Sequence, residues 1–302
     1  MMSDDGDRRC GFIALLGAPN AGKSTLMNTM VGAKVSIVTQ KVQTTRSRIL
    51  GVTALGASQL VFVDTPGIFR PRRRLDRAMV AAAWSGAADA DTVTLLIDAK
   101  IGIDGDTRRI IDGLKKNNRD SICVINKIDT VRRENLLKLT DELRAEGLFS
   151  DFFMISALNG DGVEDLKAVL AGRLPEGPWH FPEDQLSDMN DRLFSAEITR
   201  EKLFLNLHQE LPYALTVETE TWEPFDNGAV KVEQVIYVER ASQKGIVLGK
   251  AGERIKRVRT LAQDDLKELL GRDVHLFLFV KVRENWGDDP ERYRDWGLDF
   301  ST

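Results

Sequence analysis

The sequence predicts two domains: an α/β domain, with a mostly parallel sheet and helices on both faces, and then a smaller α+β domain. The chain has 302 residues, which is too long for a single hydrophobic core of ordinary size. Short, continuously apolar runs alternate with helical stretches over residues 8–175, which is typical of parallel strands buried on both faces. A proline-rich interval then separates this half from a second half with a different order of elements.

The first domain, residues 8–175, contains five apolar runs that predict its strands. They are Phe12–Leu16, Leu60–Val63, Val93–Ile97, Ile122–Ile125 and Phe152–Ile155. The interval Leu174–Asp184 holds three of the chain's nine prolines and breaks both the strand and the helix patterns. We therefore predict a linker over residues 176–190.

The second domain, residues 191–286, has the predicted order α-β-β-α-α-β. Its predicted elements are a helix at Asp191–Glu210, strands at Ala214–Glu223 and Ala229–Arg240, two helices around Gly249–Gly252, and a strand at Val274–Val282. Residues 287–302 form an acidic tail, for which we predict a surface helix and extension without a chemical role.

Composition excludes several classes of protein. The longest stretch free of charged residues, Ile49–Val63, is interrupted by polar residues and glycines, so no membrane span is expected. The acidic segment Met1–Asp7 lacks the basic and apolar runs of a secretory signal. Cys10 and Cys123 are far apart and the three histidines are scattered, so we expect a reduced cytoplasmic protein without structural zinc. The net charge of −4 argues against a uniformly basic nucleic-acid coat, although it leaves local basic patches open.

A glycine-rich loop follows the first predicted strand and precedes a helix. It fits the pattern Gly-x-x-x-x-Gly-Lys-Ser, in which backbone N–H groups and the helix N-terminus point at phosphate oxygens. In this pattern Lys23 reaches the β- and γ-phosphates, and the Ser24 hydroxyl binds Mg²⁺. The predicted nucleotide contacts are Gly17, Ala18, Pro19, Asn20, Ala21, Gly22, Lys23, Ser24 and Thr25.

Two later motifs predict guanine as the base, and hence GTP and GDP as ligands. In Asn126-Lys127-Ile128-Asp129, the carboxylate of Asp129 can accept two hydrogen bonds from the guanine N1–H and amino groups, which adenine does not offer. Asn126 would tie this loop to the phosphate loop, and the stem of Lys127 would stack on the base. The loop Ser156-Ala157-Leu158 would supply a backbone N–H to the guanine oxygen.

The strand Leu60–Val63 ends in the motif Asp64-Thr65-Pro66-Gly67, which predicts a magnesium and γ-phosphate site. Asp64 would hold Mg²⁺ through water, and the Gly67 N–H would contact the γ-phosphate. A threonine of the polar segment Gln43–Arg46 would complete the magnesium shell, and we favour Thr45 over Thr44. The predicted magnesium ligands are thus Ser24, Thr45 and Asp64, and the predicted catalytic residues are Lys23, Thr45, Asp64 and Gly67.

These five ordered motifs resemble those of translation-factor-type GTPases. Their versions here, with Gly-x-Pro-Asn-x-Gly-Lys-Ser, Thr-Thr-Arg and Asp-Thr-Pro-Gly, are similar to the branch that contains Era, Der and TrmE. One residue departs from Ras-type enzymes, because Ile68 stands where those carry a glutamine that orients the attacking water. Either backbone, a cation or a partner positions that water, or hydrolysis is slow. The resemblance to TrmE-type enzymes implies that Asn20 binds K⁺; the alternative is that Asn20 only closes the loop through a local hydrogen bond.

A Gly-x-x-Gly sequence in the second domain predicts contact with single-stranded RNA. Residues 241–260 carry six basic residues against one acidic residue, which suits contact with phosphates, although a solvated helix face would look the same. Ile246, Val247 and Ile255 are expected mainly in the core, while some apolar side chains could floor a groove for bases. The predicted RNA contacts are Lys244, Val247, Leu248, Gly249, Lys250, Ala251, Gly252, Arg254 and Lys256.

An α/β P-loop GTPase domain followed by an α+β type II KH domain resembles the Era family of bacterial ribosome-assembly GTPases, from about Gly11 to Trp286. The resemblance implies a magnesium-dependent GTP hydrolase that binds small-subunit ribosomal RNA near its 3′ end and acts on the assembling small ribosomal subunit. It also leaves open a weak peripheral association with the inner membrane, and no DNA partner is expected. The alternative is a nucleotide-gated RNA-binding assembly factor whose hydrolysis is incidental. Three roles remain open for the basic run Arg70–Arg74. It could contact RNA or membrane, supply an arginine that stabilises charge, or form a solvated loop.

Overall fold

The computed structural model describes residues 8–207 and 211–302, which form two compact units. The first unit comprises residues 8–36, 45–188 and 293–302, and the second comprises residues 37–44 and the described part of 189–292. The acidic segment Met1–Asp7 and the predicted helix end at 208–210 lie outside the described residues.

The first unit is built on a six-stranded sheet, as the fold class predicts. Its strands are β1 (Arg9–Gly17), β2 (Ile49–Leu55), β3 (Ser58–Asp64), β4 (Thr92–Asp98), β5 (Ser121–Asn126) and β6 (Phe149–Ile155). Their order is β2-β3-β1-β4-β5-β6, and every neighbouring pair is parallel except β2 with β3. The mostly parallel sheet is therefore confirmed, with one antiparallel strand, β2, that the sequence pattern did not separate from its neighbour.

Five helices cover this sheet. They are α1 (Lys23–Val31), α2 (Arg74–Asp89), α3 (Gly105–Lys116), α4 (Arg133–Arg144) and α5 (Val163–Arg173). Apolar residues of α2, α3 and α4 share one buried cluster with β1, β4 and β5, while α1 and α5 contact each other, β2 and β3. The loops after β1, β3, β5 and β6 leave the carboxyl ends of parallel strands, so they meet at one edge of the sheet.

The second unit has the predicted element order. It contains α6 (Asp191–Asn206), β7 (Leu215–Pro224), β8 (Val230–Val238), α7 (Ala241–Leu248), α8 (Glu253–Leu270) and β9 (Val274–Val282). The strand order is β7-β8-β9, with β7 and β8 antiparallel and β8 and β9 parallel. Two apolar clusters between the helices and this sheet form its core.

The predicted linker, residues 176–190, is largely packed against the first unit. Val52 donates its N–H to Leu186 O at 2.8 Å, and Leu50 donates its N–H to Asp188 Oδ1 at 3.0 Å. Trp179 and Phe181 pack against an apolar cluster on β1, β2 and β3. These contacts attach residues 176–188 to the sheet of the first unit. The boundary between the two units therefore lies after residue 188.

The tail, residues 287–302, contains a helix as predicted, but part of the segment is packed and is not the predicted surface extension. It contains α9 (Pro290–Asp295), and its residues 293–302 cluster with the first unit. Tyr293 is fully buried and Leu298 is 6% exposed, both beside Ala78 and Met79 of α2. Aromatic side chains thus hold an acidic segment in place, which net charge alone did not indicate.

Residues 8–207 and 211–302 contain neither a membrane-spanning helix nor a cluster of three or more metal-binding His, Cys, Asp and Glu side chains. None of the helices described there is long and apolar enough to cross a membrane. The same residues contain no group of three or more His, Cys, Asp and Glu side chains that could hold a metal ion.

Candidate nucleotide site and candidate RNA surface

The phosphate loop lies between β1 and α1, where its motif predicts it. Gly22 has φ of 100°, and a Cβ at this position would lie 2.2 Å from Asn126 Nδ2. Only glycine fits both the left-handed backbone and this close approach. The loop can therefore close against the side chain of Asn126, the last residue of β5.

Lys23 is buried inside this loop. Its Nζ donates to Gly17 O at 3.1 Å and to Ala18 O at 3.2 Å. Burial lowers the pKa of Lys23 to about 8, and the nearby Asp64 carboxylate partly offsets this. A phosphate group bound in the loop would stabilise the charged form of Lys23, since its negative charge would lie close to the ammonium group.

The residues predicted to hold Mg²⁺ lie together around Asp64, which is fully buried. Its Oδ2 accepts hydrogen bonds from Ser24 Oγ at 2.6 Å, from Ser36 Oγ at 3.1 Å and from Thr45 Oγ1 at 3.4 Å. Burial raises the pKa of Asp64, while Lys23 and these three hydroxyls act in the opposite direction. Asp64 Oδ1 is buried and has no hydrogen-bond partner among residues 8–207 and 211–302. A buried, unpaired carboxylate oxygen beside hydroxyls suits a hard divalent cation.

The two candidate threonines occupy different surroundings. Thr45 Oγ1 lies 3.0 Å from Ser24 Oγ, next to Asp64. Thr44 Oγ1 instead lies 2.6 Å from Thr39 Oγ1 and donates to Lys41 O at 2.7 Å. The geometry therefore favours Thr45 as the magnesium ligand. Ser36 also reaches Asp64, and sequence reasoning missed it because a single serine in a polar segment carries no motif.

Asn126 connects the three loops that would surround a nucleotide. Its Nδ2 donates to Ala21 O at 2.8 Å, and its Oδ1 accepts the N–H of Lys127 at 2.8 Å and of Ala157 at 2.9 Å. Ser156 is fully buried and donates its N–H to Asp161 O at 3.0 Å. The phosphate loop and both predicted base-contacting loops are thus fixed relative to one another by one buried amide.

The residues predicted to contact the base include exposed side chains. Asp129 is exposed, and Leu158 is 80% exposed. Lys127 has a positive φ of 64° and forms an ion pair with Asp98 at 2.6 Å, which sequence reasoning did not anticipate. This ion pair restricts the direction of the Lys127 side chain.

The loop after β3 carries no polar side chain at the position of the water-orienting glutamine. Ile68 is 1% exposed and packs in the main core of the first unit, while its N–H donates to Gly17 O at 3.1 Å. Gly67, whose N–H is predicted to contact the γ-phosphate, immediately precedes it. Asn20, the predicted K⁺ ligand, is exposed on the phosphate loop and has φ of 63°.

The basic run after this loop is exposed from Arg70 to Arg74. The N–H groups of Arg72 and Arg73 each donate to Asp76 Oδ2 at 3.0 Å, which fixes the start of α2. The guanidinium of Arg74 lies 4.5 Å from the ring centroid of Phe300. The other roles considered for this run stay predictions.

The Gly-x-x-Gly loop joins α7 to α8 in the second unit. Gly249 has φ of 74°, and a Cβ there would lie 2.7 Å from Arg254 Cβ, so the turn requires glycine. An open cavity of about 550 Å³ adjoins the loop. Its lining residues are Leu205, Asn206, Gly249, Lys250, Glu253, Arg254 and Arg257.

Most predicted RNA contacts lie at or near the surface of the loop, but the side chains of two, Val247 and Leu248, pack in or against the core. Lys250, Ala251 and Lys256 are exposed, and Lys244, Gly252 and Arg254 are half-buried. Val247 is fully buried in the core of the second unit, so its predicted contact with RNA is corrected. Leu248 packs against the same core, as does Ile255.

Sequence reasoning assigned some neighbouring residues differently from the structure. Ile246, expected in the core, is 50% exposed beside the loop. Leu205 and Asn206, at the end of α6, line the cavity and were missed. The 54% exposure of Leu205 could have been inferred from the helical phase of α6, but its proximity to the Gly-x-x-Gly loop depends on the fold.

Comparisons with known proteins agree with this division. Residues 12–127 match the family described as 50S ribosome-binding GTPase, and residues 210–287 match the KH domain family. GTPase Era of Rhizobium meliloti (strain 1021) is 62% identical over 97% of this chain and 93% of its own length. The crystal structure of a variant of Aquifex aeolicus Era bound to GDP.AlF4- is 37% identical, with a TM-score of 0.90, over 96% of this chain and 99% of that one. A crystal structure of Era with MgGDPNP and nucleotides 1506–1542 of 16S ribosomal RNA has the same identity and coverage, with a TM-score of 0.91.

Proposed function

The chain belongs to the Era family of GTPases, and on that premise we propose that its nucleotide state controls how tightly its KH domain holds small-subunit ribosomal RNA. It is an enzyme that hydrolyses GTP.

The observation that carries this proposal is the packing of Ile37–Thr44. The residues on either side, Ser36 and Thr45, donate to Asp64 in the candidate magnesium site. The segment between them belongs to the second unit. Because one continuous stretch of chain has its ends at the nucleotide site and its middle in the KH unit, a change at the γ-phosphate would alter contacts of the KH unit.

The contacts of this segment are polar and specific. Val38 donates its N–H to Glu201 Oε1 at 2.9 Å, Arg200 donates to Thr44 O at 2.5 Å, and Lys41 donates to Leu207 O at 2.8 Å. Arg200 is 1% exposed and also forms an ion pair with Glu197, so losing Thr44 O would leave the guanidinium with one fewer acceptor in a buried position. These groups therefore favour one arrangement of the segment on α6.

The proposed nucleotide site uses the residues that converge around the phosphate loop. Ser24, Thr45 and Asp64 would hold Mg²⁺, which when bound neutralises charge on the β- and γ-phosphates. Lys23 and the loop N–H groups would bind the phosphates, and the Gly67 N–H would contact the γ-phosphate. Asn126, Lys127 and Asp129, with the loop Ser156–Leu158, would bind guanine.

The proposed RNA surface is the cavity beside the Gly-x-x-Gly loop. Lys250, Arg254 and Arg257 line it and would contact phosphates, while the exposed side chains of Leu205 and Ile246 would contact bases. The Era structure with bound 16S ribosomal RNA, which matches this chain at a TM-score of 0.91, supports the choice of RNA.

The direct test of the RNA assignment is binding of the same segment, nucleotides 1506–1542 of 16S ribosomal RNA, to this chain with GDPNP and Mg²⁺. We expect it to bind at least about tenfold more tightly than a shuffled RNA of the same composition at equal salt. Equal affinities for the two RNAs would mean that binding depends on charge alone, and they would contradict the assignment of this RNA segment as the ligand.

We also propose that this chain binds the assembling small ribosomal subunit in the cytoplasm. Peripheral association with the inner membrane stays a prediction from the resemblance.

The alternative mechanism, in which hydrolysis is incidental, predicts a different result in one experiment. Single-turnover GTP hydrolysis would then have the same rate with and without small subunits. We expect the rate to rise when small subunits are added.

We further propose that hydrolysis depends on K⁺. Ile68 leaves the site without a side chain that could arrange water or offset charge between the β- and γ-phosphates, so a monovalent cation bound by Asn20 would supply that charge. Turnover should be several-fold faster in K⁺ than in Na⁺ at equal ionic strength, and Asn20→Ala should remove the difference.

The matched control for this substitution is Asn118→Ala. Asn118 is also exposed and has φ of 47°, so replacing it carries a similar backbone cost without touching the phosphate loop. This variant should keep the K⁺ dependence. Equal turnover of the natural protein in both salts would eliminate the cation and leave backbone or ribosomal groups to position the water.

A further inference from the structure

The C-terminal segment, residues 293–302, packs against the region that follows the predicted γ-phosphate contact. Tyr293 is fully buried and Leu298 is 6% exposed, in one cluster with Ala78 and Met79 of α2. Phe69, Leu75 and Ala82 pack against the same cluster, as do Trp296 and Phe300 of the segment itself. The loop that follows Gly67 is therefore in contact with the end of the chain.

The segment is held in one conformation by its own contacts. The rings of Tyr293 and Phe300 meet edge to face with centroids 5.0 Å apart, and Leu298 donates its N–H to Tyr293 O at 2.7 Å. Arg74, the first residue of α2, lies over the ring of Phe300 at 4.5 Å from its centroid. Such aromatic and cation–π contacts are directional, so they fix where the segment sits on α2.

The position of these contacts matters for hydrolysis because of Ile68. Because position 68 carries no polar side chain, main-chain groups of this loop can help to place the attacking water, whether or not a cation offsets the phosphate charge. Their placement depends on what holds the loop. Ile68 anchors it on one side, through the main core and its N–H bond to Gly17 O at 3.1 Å. Phe69, the next residue, is anchored by the C-terminal cluster.

We propose that residues 293–302 position the loop Gly67–Phe69 for GTP hydrolysis, with Tyr293 and Phe300 as positioning residues. Neither side chain is assigned a contact with nucleotide. Both act by packing against Phe69 and the start of α2, which restricts the main chain next to the γ-phosphate. The consequence is an effect on the rate of the chemical step and not on nucleotide affinity, since the phosphate loop and the guanine-binding loops do not contribute to this cluster.

The test compares single-turnover GTP hydrolysis with the affinity for GDP in Phe300 variants of the full chain. Phe300→Ala should lower the hydrolysis rate about tenfold and leave the dissociation constant for GDP within about twofold. Phe300→Tyr keeps the ring beneath Arg74 and against Tyr293, and it should retain the natural rate. A general loss of folding would instead lower the GDP affinity together with the rate.

A matched control removes an aromatic ring elsewhere. Phe277, on β9 of the second unit, is 46% exposed, and Phe277→Ala should leave hydrolysis and GDP affinity unchanged. Tyr293→Ala is a second variant with a larger expected loss of rate, provided that GDP affinity shows a folded nucleotide site. The proposal is overturned if Phe300→Ala hydrolyses GTP at the natural rate, or if its loss of rate is matched by an equal loss of GDP affinity.

Discussion

Replacing Asp129 by asparagine is expected to weaken GTP binding by at least about a hundredfold and to create binding of XTP. The carboxylate can accept two hydrogen bonds from the guanine edge, whereas an amide offers one donor and one acceptor. Xanthine carries an oxygen at C2 in place of the amino group, so it accepts where guanine donates. Fluorescence titration with labelled GDP and XDP measures both effects.

A matched control for this substitution lies at the other end of β5. Asp120 is exposed immediately before β5, whereas Asp129 follows the carboxyl end of that strand, so Asp120→Asn makes the same chemical change away from the nucleotide edge of the sheet. It should leave the affinity for both nucleotides unchanged. An Asp129→Asn variant that binds GTP as tightly as the natural protein would show that this loop does not choose the base.

Placing two carboxylates in the Gly-x-x-Gly loop should separate RNA binding from GTP binding. In the double variant Lys250→Asp with Ala251→Asp, both glycines remain to form the turn, but phosphates would meet negative charge at two exposed positions. RNA affinity should fall at least about a hundredfold, with a shallower dependence on salt, because fewer counterions are displaced. GDP affinity should be unchanged.

The control variant, Lys281→Asp with Val282→Asp, changes the net charge of the second unit equally. Both residues are exposed, on β9, so this variant tests whether a general loss of positive charge explains the effect. It should lose little RNA affinity. If the loop variant also binds RNA normally, the RNA surface lies elsewhere, and Arg70–Arg74 becomes the next candidate.

Much of the fold follows from local patterns in the sequence. The run Val274–Val282 has the same bounds as β9, and the five apolar runs of the first unit each lie within an observed strand. Parallel strands buried on both faces are long apolar runs, so local composition marks them. β2 was missed because it adjoins β3 through a short turn at Gly56, and the two strands form one apolar stretch in the sequence.

Parts of the structure that depend on distant contacts were not predictable in this way. The segment 176–188 contains prolines typical of a linker, yet it is ordered by hydrogen bonds to β2. The acidic residues of 287–302 suggested a solvated tail, whereas aromatic residues of its second half pack against α2. Both results depend on contacts between residues that are distant in the sequence, to which periodicity and composition are insensitive.

The candidate sites show the same division between motif and fold. The phosphate-loop pattern specifies backbone geometry, so Gly17–Ser24 could be assigned from spacing alone. Ser36 at the magnesium site and Leu205 beside the Gly-x-x-Gly loop carry no such pattern. The burial of Val247 in the core was expected, although it was also predicted to contact RNA, whereas the exposure of Ile246 was not expected. A short helix with adjacent apolar residues does not reveal which of them faces the core.

The central claim is that nucleotide state controls RNA binding, and one measurement tests it most directly. The affinity for nucleotides 1506–1542 of 16S ribosomal RNA is measured with GDPNP and with GDP, at the same Mg²⁺ and salt concentrations. We expect at least about fivefold tighter binding with GDPNP, and by linkage the RNA should raise the affinity for GDPNP over GDP by the same factor. Equal RNA affinity in the two nucleotide states would contradict the claim.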